Sequence, residues 1–407
     1  MTYDLVLKGA TVIDGAQGLN GGYDVAVNGE KIAAVEKEIV EPARETVDLG
    51  GRILTPGWID IHTHIYAGAT TWGIRGDALC LATGVTTVVD AGSPGWANFM
   101  GFRDYVAAPA RTQVLTFVHI SGIGLTYGPV GEMQDLRYAD PERTAYIIGR
   151  WPELCVGVKV REGKHQVGDN GVAPLKLAVK AAELSNSKVM VHAGAGVPLP
   201  DVLGELRPGD IVTHCYHGGG DTILGNGERV IPEVWAARER GVLFDLGHGG
   251  GSFLFAVAKK ALAQGFPSDV ISTDLHVHCL NDPVYSLPET ASKMLNLGIE
   301  LQEVVYQTTA APAAAIGRDD ELGTLKVGTV ADLAAFEVRE GAFEFRDVGD
   351  NLEVGSRKIT PVLTVRKGIL YRPEDLKEEV AETFQRAREM KALVRGRFDI
   401  RYPGREM

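Results

Sequence analysis

From residue 57 onward, short apolar runs alternate with helix-like segments, and this alternation constrains the fold more than any other feature of the chain. The runs lie at residues 58–64, 86–90, 113–119, 156–160, 188–192, 211–215, 242–246 and 270–274. Strand-length apolar runs separated by helical periodicity are the signature of βαβ units, which build a parallel sheet. Between the runs, residues 173–184 and 253–264 place apolar residues at helical spacing, and 233–240 is followed by Gly241 as a stop. Eight parallel strands over about 250 residues match the size of a (β/α)8 TIM barrel. An open doubly wound sheet is the competing arrangement.

The flanks have a different character. Residues 1–55 read as strands broken at glycines and at Asn28-Gly29, with no helical period. After Ala310 strand patterns return in GTLKVGTVADLAAFEV and ITPVLTVRKGILY, separated by an acidic turn at 347–350. The expectation is an α/β chain with a small β-sandwich formed from both termini. Residues 1–55 and 311–372 make the sandwich, 56–310 the barrel, and 373–407 a charged C-terminal helix and tail.

A net charge of −12 with no long basic run argues against a phosphate-backbone partner, so no nucleic acid is expected. Cys80, Cys155, Cys215 and Cys279 form no C-x-x-C pair, which argues against a disulfide framework or thiolate zinc finger. The opening MTYDLVLKGATVIDG alternates like a strand and lacks the layout of a signal peptide. No apolar run is long enough to span a bilayer, so no membrane association and a cytoplasmic location are expected.

The stretch PGWIDIHTHIY sets His62 and His64 one residue apart at the end of an apolar run. On a regular strand these two side chains project to the same side, so they can chelate one metal ion at the functional end of a parallel barrel. Alone, such a pair is as often two core or surface histidines. Three other runs also finish in a residue able to bind a metal: VMVHA with His192, VTHC with His214 and ISTD with Asp274. A single buried histidine is commonly a satisfied core residue and a single aspartate a helix cap. Coincidence across four strands is far less frequent. Lys159, inside CVGVKV, is the most informative residue, because a bare ammonium there is desolvated at a cost of several kcal/mol. Reaction with CO2 would give a carbamate whose two oxygens bridge two ions. Snorkelling to solvent is the ordinary fate of such a lysine.

The order H-x-H, Lys, His, His, Asp on strands one, four, five, six and eight resembles the amidohydrolase superfamily with its binuclear metal centre. The flanking sandwich, the phrase ILTPGWIDIHTH and the late GTLKVGTVADLAAF are similar to its members too, so the resemblance covers nearly all of residues 1–371. Within it, GVKVREG and THCYHGGG resemble dihydroorotase-like deacetylases that act on acetylated small carboxylic acids. The resemblance implies that His62, His64 and Asp274 hold the more buried metal and that His192 and His214 hold the other. N-carboxylated Lys159 would bridge them. Two divalent ions, with zinc the first choice for mixed imidazole and oxygen ligands, would share a water and present hydroxide at neutral pH. Asp274 would serve as general base and then general acid. The implied reaction is metal-hydroxide attack on an amide or ester bond, an acetyl group's, of a small carboxylate-bearing substrate. The alternative is dihydroorotase-like or hydantoinase-like opening of a cyclic amide.

Dihydroorotases typically continue the motif as H-x-H-x-R, but this chain has Tyr66 at the arginine's place. Arg161, two residues past Lys159, is the candidate carboxylate clamp, an ordinary surface arginine being the equal alternative. His217 in HCYHGGG, His248 in DLGHGGGSF, His276 and, more weakly, Tyr127 are further candidates for substrate contact, with support of the metal ligands from behind favoured for His276. A serine hydrolase reading of AGSPG fails, because the residue after Ser93 is Pro94, which has no N–H for an oxyanion. Relatives that became structural proteins after losing their metals should lack the ligands, whereas this chain keeps them all. Barrels of this kind commonly associate as homo-oligomers, a dimer being the commonest closed form.

Overall fold

A computed structural model describes residues 2–225 and 227–394. Seven parallel strands follow one another in a single sheet: Trp58–Thr63, Val85–Gly95, Gln113–His119, Cys155–Glu162, Lys188–Ala193, Ile211–Thr213 and Leu243–Asp245. The eighth expected strand, 270–274, forms no ladder of its own. It closes the barrel through single bridges, Val270 to Asp245 and Leu275 to Thr63. Backbone bonds complete the seam, with Asp274 N–H donating to His62 O at 2.7 Å and His64 N–H to Leu275 O at 2.9 Å. The fold is therefore the expected α/β barrel, with its last strand reduced to a seam.

Alternation along each strand sorts the side chains into two cores. Val158 and Val160 pack outward in one cluster with Leu175 and Ala178 of the helix Ala173–Leu184. Inside the barrel, Leu115, Phe117, Met190, Ile211 and Val270 form a plug that Ala313 and Ala315 close from below. Each such buried side chain contributes roughly 1.5–3 kcal/mol. The helix Ala310–Ala315 belongs to this plug, so the strand character expected after Ala310 begins only at Leu333.

The termini share one mixed sheet of eight strands. The short strand Ile53–Pro56 joins them, pairing in parallel with Tyr3–Asp14 and antiparallel with Leu333–Arg346. Leu5, Val25, Leu54, Leu333 and Val365 lie in one cluster, so the sheet curls around its own core. The helix Lys377–Leu393 packs against the loops after strands one and eight. There Thr383 Oγ1 donates to Arg75 O at 2.8 Å and Lys391 Nζ to His278 O at 3.4 Å. The polar tail expected from the sequence lies outside the described residues.

Candidate metal centre

At the C-terminal ends of the barrel strands a cavity of about 580 Å³ is lined by His62, His64, Lys159, His192, His214 and Asp274, all six residues the sequence brought forward as ligands. One ligand atom from each of His62, His64 and Asp274 lies within 4.8 Å of the others, and all three residues are buried. The Oδ1 atom of Asp274 stands 3.4 Å from His62 Nε2 and 3.2 Å from His64 Nε2. Lys159 Nζ is 3.4 Å from the same His62 Nε2. On the other side the rings of His192 and His214 meet edge to face, 4.4 Å between centroids. His214 donates its Nδ1–H to Gly247 O at 2.7 Å, leaving a bare Nε2.

These atoms fit a cation. Asp274 Oδ1 is buried with no hydrogen-bond partner, an arrangement that costs free energy unless a positive charge lies between it and the imidazoles. Burial pushes the His62, His64 and His192 imidazoles well below their ordinary range, and His214 to about 4. Neutral imidazole is the metal-binding form. Burial also pulls Lys159 down to about 7, against the opposing pull of Asp274 and Asp245.

Local backbone geometry is unusual where the ligands sit. His214 and Asp274 adopt positive φ, 70° and 49°, a region that side chains with a Cβ seldom occupy. The first strand carries a register shift between Asp60 and Thr63, so strict alternation is interrupted there, yet both histidines reach the cavity. Two glycines make room. A Cβ on Gly249, at φ +52°, would come 2.3 Å from Asp274 Oδ2, and one on Gly92, at φ +84°, 2.5 Å from Lys159 Cβ. The AGSPG stretch is thus explained without nucleophilic chemistry. Ser93 is fully buried, lies outside the cavity lining, and bonds through Oγ to His64 Nδ1 at 3.0 Å.

Arg161, His217 and His276 line the cavity. The Arg161 guanidinium is held by a residue that the sequence did not bring forward: its Nε and Nη2 donate to the two oxygens of Glu132 at 2.7 and 2.9 Å. Burial alone would raise the Glu132 carboxyl, but Arg161 and His119 hold it well below the ordinary carboxylate range. Trp72 forms a wall, 5.5 Å from the Arg161 guanidinium and edge to face with His276 at 4.8 Å. His165 and Gln166 complete that side. Trp72 and Glu132 lie in loops and His165 and Gln166 in the short helix Lys164–Val167, and no periodicity marks them.

Two expected contacts are absent from the lining. His248 is fully buried, stacks on Phe253 at 4.7 Å and accepts a hydrogen bond on Nε2 from Lys293 at 2.9 Å. Its loop turns it away from the cavity. Tyr127 is 45% exposed, although its neighbours Gly128 and Pro129 do reach the cavity.

A curled parallel barrel with buried histidines and an aspartate at its C-terminal mouth defines the class as a metal-binding barrel hydrolase. Comparison with known proteins agrees. Residues 255–370 match the model of the amidohydrolase family. A deacetylase of Agrobacterium fabrum is 38% identical over 342 residues, 83% of this chain and 84% of that protein. The crystal structure of an adenine deaminase superposes with a TM-score of 0.86 at 33% identity, covering 91% of this chain and all of that one. That of a dihydroorotase gives 0.82 at 34% identity, covering 90% and 97%. The chain belongs to the amidohydrolase family, and it is a hydrolase.

Proposed function

We propose that the protein is a binuclear metal-dependent hydrolase that removes an acyl group, an acetyl in the first instance, from an amide or ester of a small carboxylate-bearing substrate. The observation that carries this reading is the meeting of Asp274 and Lys159 in one cavity with His62 and His64 on one side and His192 and His214 on the other. In this reading His62, His64 and Asp274 would hold one ion and His192 and His214 the second, with N-carboxylated Lys159 as a ligand they would share. Zinc suits the mixed nitrogen and oxygen donors. When bound, such ions lower the pKa of a shared water and polarise the scissile carbonyl.

The chain's own residues supply the rest. Lys159, pulled to about 7, holds a large neutral fraction near neutral pH. The neutral amine adds to CO2 with release of one proton, and the resulting carbamate is an anion where an ammonium would repel cations. Asp274 takes the proton released on attack and delivers it to the leaving group. Arg161 keeps Nη1 for the substrate carboxylate, because Glu132 engages Nε and Nη2. His217 and His276 are assigned to contacts around the substrate, with Trp72 as its wall. His248 and Tyr127 receive no such role, since neither lines the cavity.

Ring opening of a cyclic amide is the second reading, favoured by the 34% identity to the dihydroorotase. Against it stands Tyr66, whose ring packs on Phe102 and whose hydroxyl donates to Asn98 O at 2.9 Å, away from the cavity. The residue at the arginine's place therefore offers a substrate carboxylate nothing. Four buried free cysteines suit a reducing compartment, which supports a cytoplasmic location. Among the described residues no helix is long and apolar enough to cross a membrane. Assay of metal-loaded protein against N-acetyl amino acids, O-acetyl hydroxy acids and cyclic ureides tests the proposal. Release of acetate supports it, and ring opening without any deacylation overturns it.

A further inference from the structure

Two of the cavity imidazoles are each approached from behind by a hydroxyl of a residue that bonds a buried aspartate. Thr213 Oγ1 lies 2.8 Å from His62 Nδ1 and 2.7 Å from Asp245 Oδ2. A threonine hydroxyl has one proton to donate, and a carboxylate can only accept. The proton therefore goes to Asp245, and the hydroxyl oxygen accepts the Nδ1–H of His62. Asp245 Oδ2 lies 3.5 Å from the same Nδ1.

The second strand carries a similar arrangement. Ser93 Oγ is 3.0 Å from His64 Nδ1, and the residue is anchored by Asp90, whose Oδ1 accepts the Ser93 N–H at 2.6 Å. Thr213, Asp245, Ser93 and Asp90 are all fully buried, so water cannot substitute for either hydroxyl without a rearrangement.

We propose that Thr213 and Ser93 are positioning residues that fix His62 and His64 as Nδ1–H tautomers, so that each Nε2 presents a bare lone pair to the cavity. The purpose of this arrangement rests on the metal reading of the site, but the tautomers themselves do not. The two relays come from different strands and end on different aspartates, yet both leave Nε2 as the atom facing Asp274 Oδ1. Partners on the far ring nitrogen orient metal-binding histidines, and their loss typically costs 10–100-fold in metal affinity.

The test uses the full chain and the variants T213V, T213S and S93A. Ring ¹⁵N–¹H NMR of chelator-stripped, histidine-labelled protein reads the tautomers without metal, and competition with a fluorescent chelator reads zinc affinity. The wild type is expected to show Nδ1–H at both rings. T213V should lose that signature at His62 and bind zinc about 10–100-fold more weakly, as should S93A at His64, with T213S restoring both readouts. An Nε2–H tautomer in the wild type, or a T213V protein unchanged in signature and affinity, overturns the proposal. Should T213V fail to fold, S93A reads the second relay on its own. Failure of the stripped wild type to bind zinc overturns the metal reading, and the tautomer spectrum then still decides the role of the hydroxyls.

Discussion

Lys159 Nζ stands 3.4 Å from Nε2 of His62, inside a barrel and with almost no exposure to solvent. As an ammonium it would place a positive charge among groups arranged for cations, and as a carbamate it would be the anion such ions need. The Lys159→Ala variant should therefore lose one of two bound metals and its turnover together. In the wild type, ¹³C NMR after exchange with labelled bicarbonate should show a carbamate resonance that the variant lacks. Two metals and near-normal turnover in the variant would refute the bridge.

The same lysine gives the metal-free protein a defined pH dependence. Burial lowers its pKa from 10.5 to about 7, so between those values the unfolded chain holds a proton that the folded chain does not. Stability from this group must then rise with pH across that window, by up to about 1.4 kcal/mol per unit, and stay flat below it. Denaturant titrations of stripped protein in CO2-free buffer at pH 7, 8 and 9 measure this slope. The stability of the wild type relative to Lys159→Met should rise steadily with pH, and a relative stability independent of pH would contradict the assignment.

Asp274→Asn keeps the shape of the side chain but removes its capacity to take a proton. Steady-state kinetics should show kcat reduced by about 10²–10⁴-fold, the usual range for a general acid–base group. A change confined to KM would assign Asp274 to binding instead.

Glu132 and Arg161 form a buried ion pair at the cavity wall, so removal of one charge strands the other. Glu132→Gln should cost about 3–5 kcal/mol in denaturant unfolding, as broken buried pairs do. A loss below about 1 kcal/mol would mean that the guanidinium finds another partner or water at no great cost.

The six ligand candidates were legible in the sequence because strand ends are short, apolar and easily counted, and a barrel brings every such end to one mouth. His62 and His64 reach the cavity even though the first strand departs from strict alternation, since the shift between Asp60 and Thr63 leaves both rings facing Asp274. His248 shows the opposite case. Its HGGG run resembles that of His217, but Lys293, on a helix 45 residues further on, draws its ring the other way. Glu132 and Trp72 stand in loops, and His165 in the short helix Lys164–Val167, placed by tertiary contacts such as Val277 N–H donating to Trp72 O at 2.9 Å. No period in the sequence records such contacts. The C-terminal helix, whose sequence suggests no chemistry, meets the loops that carry Trp72 and His276 through Arg75 and His278.

His62, His64, Lys159, His192, His214 and Asp274 are proposed to hold, together, two divalent ions on which hydrolysis depends. Elemental analysis of the purified protein by inductively coupled plasma mass spectrometry, before and after chelation and reloading, tests it most directly. Two equivalents of metal per chain, with acyl hydrolysis lost on stripping and regained on reloading, is the predicted result. Protein without stoichiometric metal, or hydrolysis indifferent to the chelator, would contradict the account.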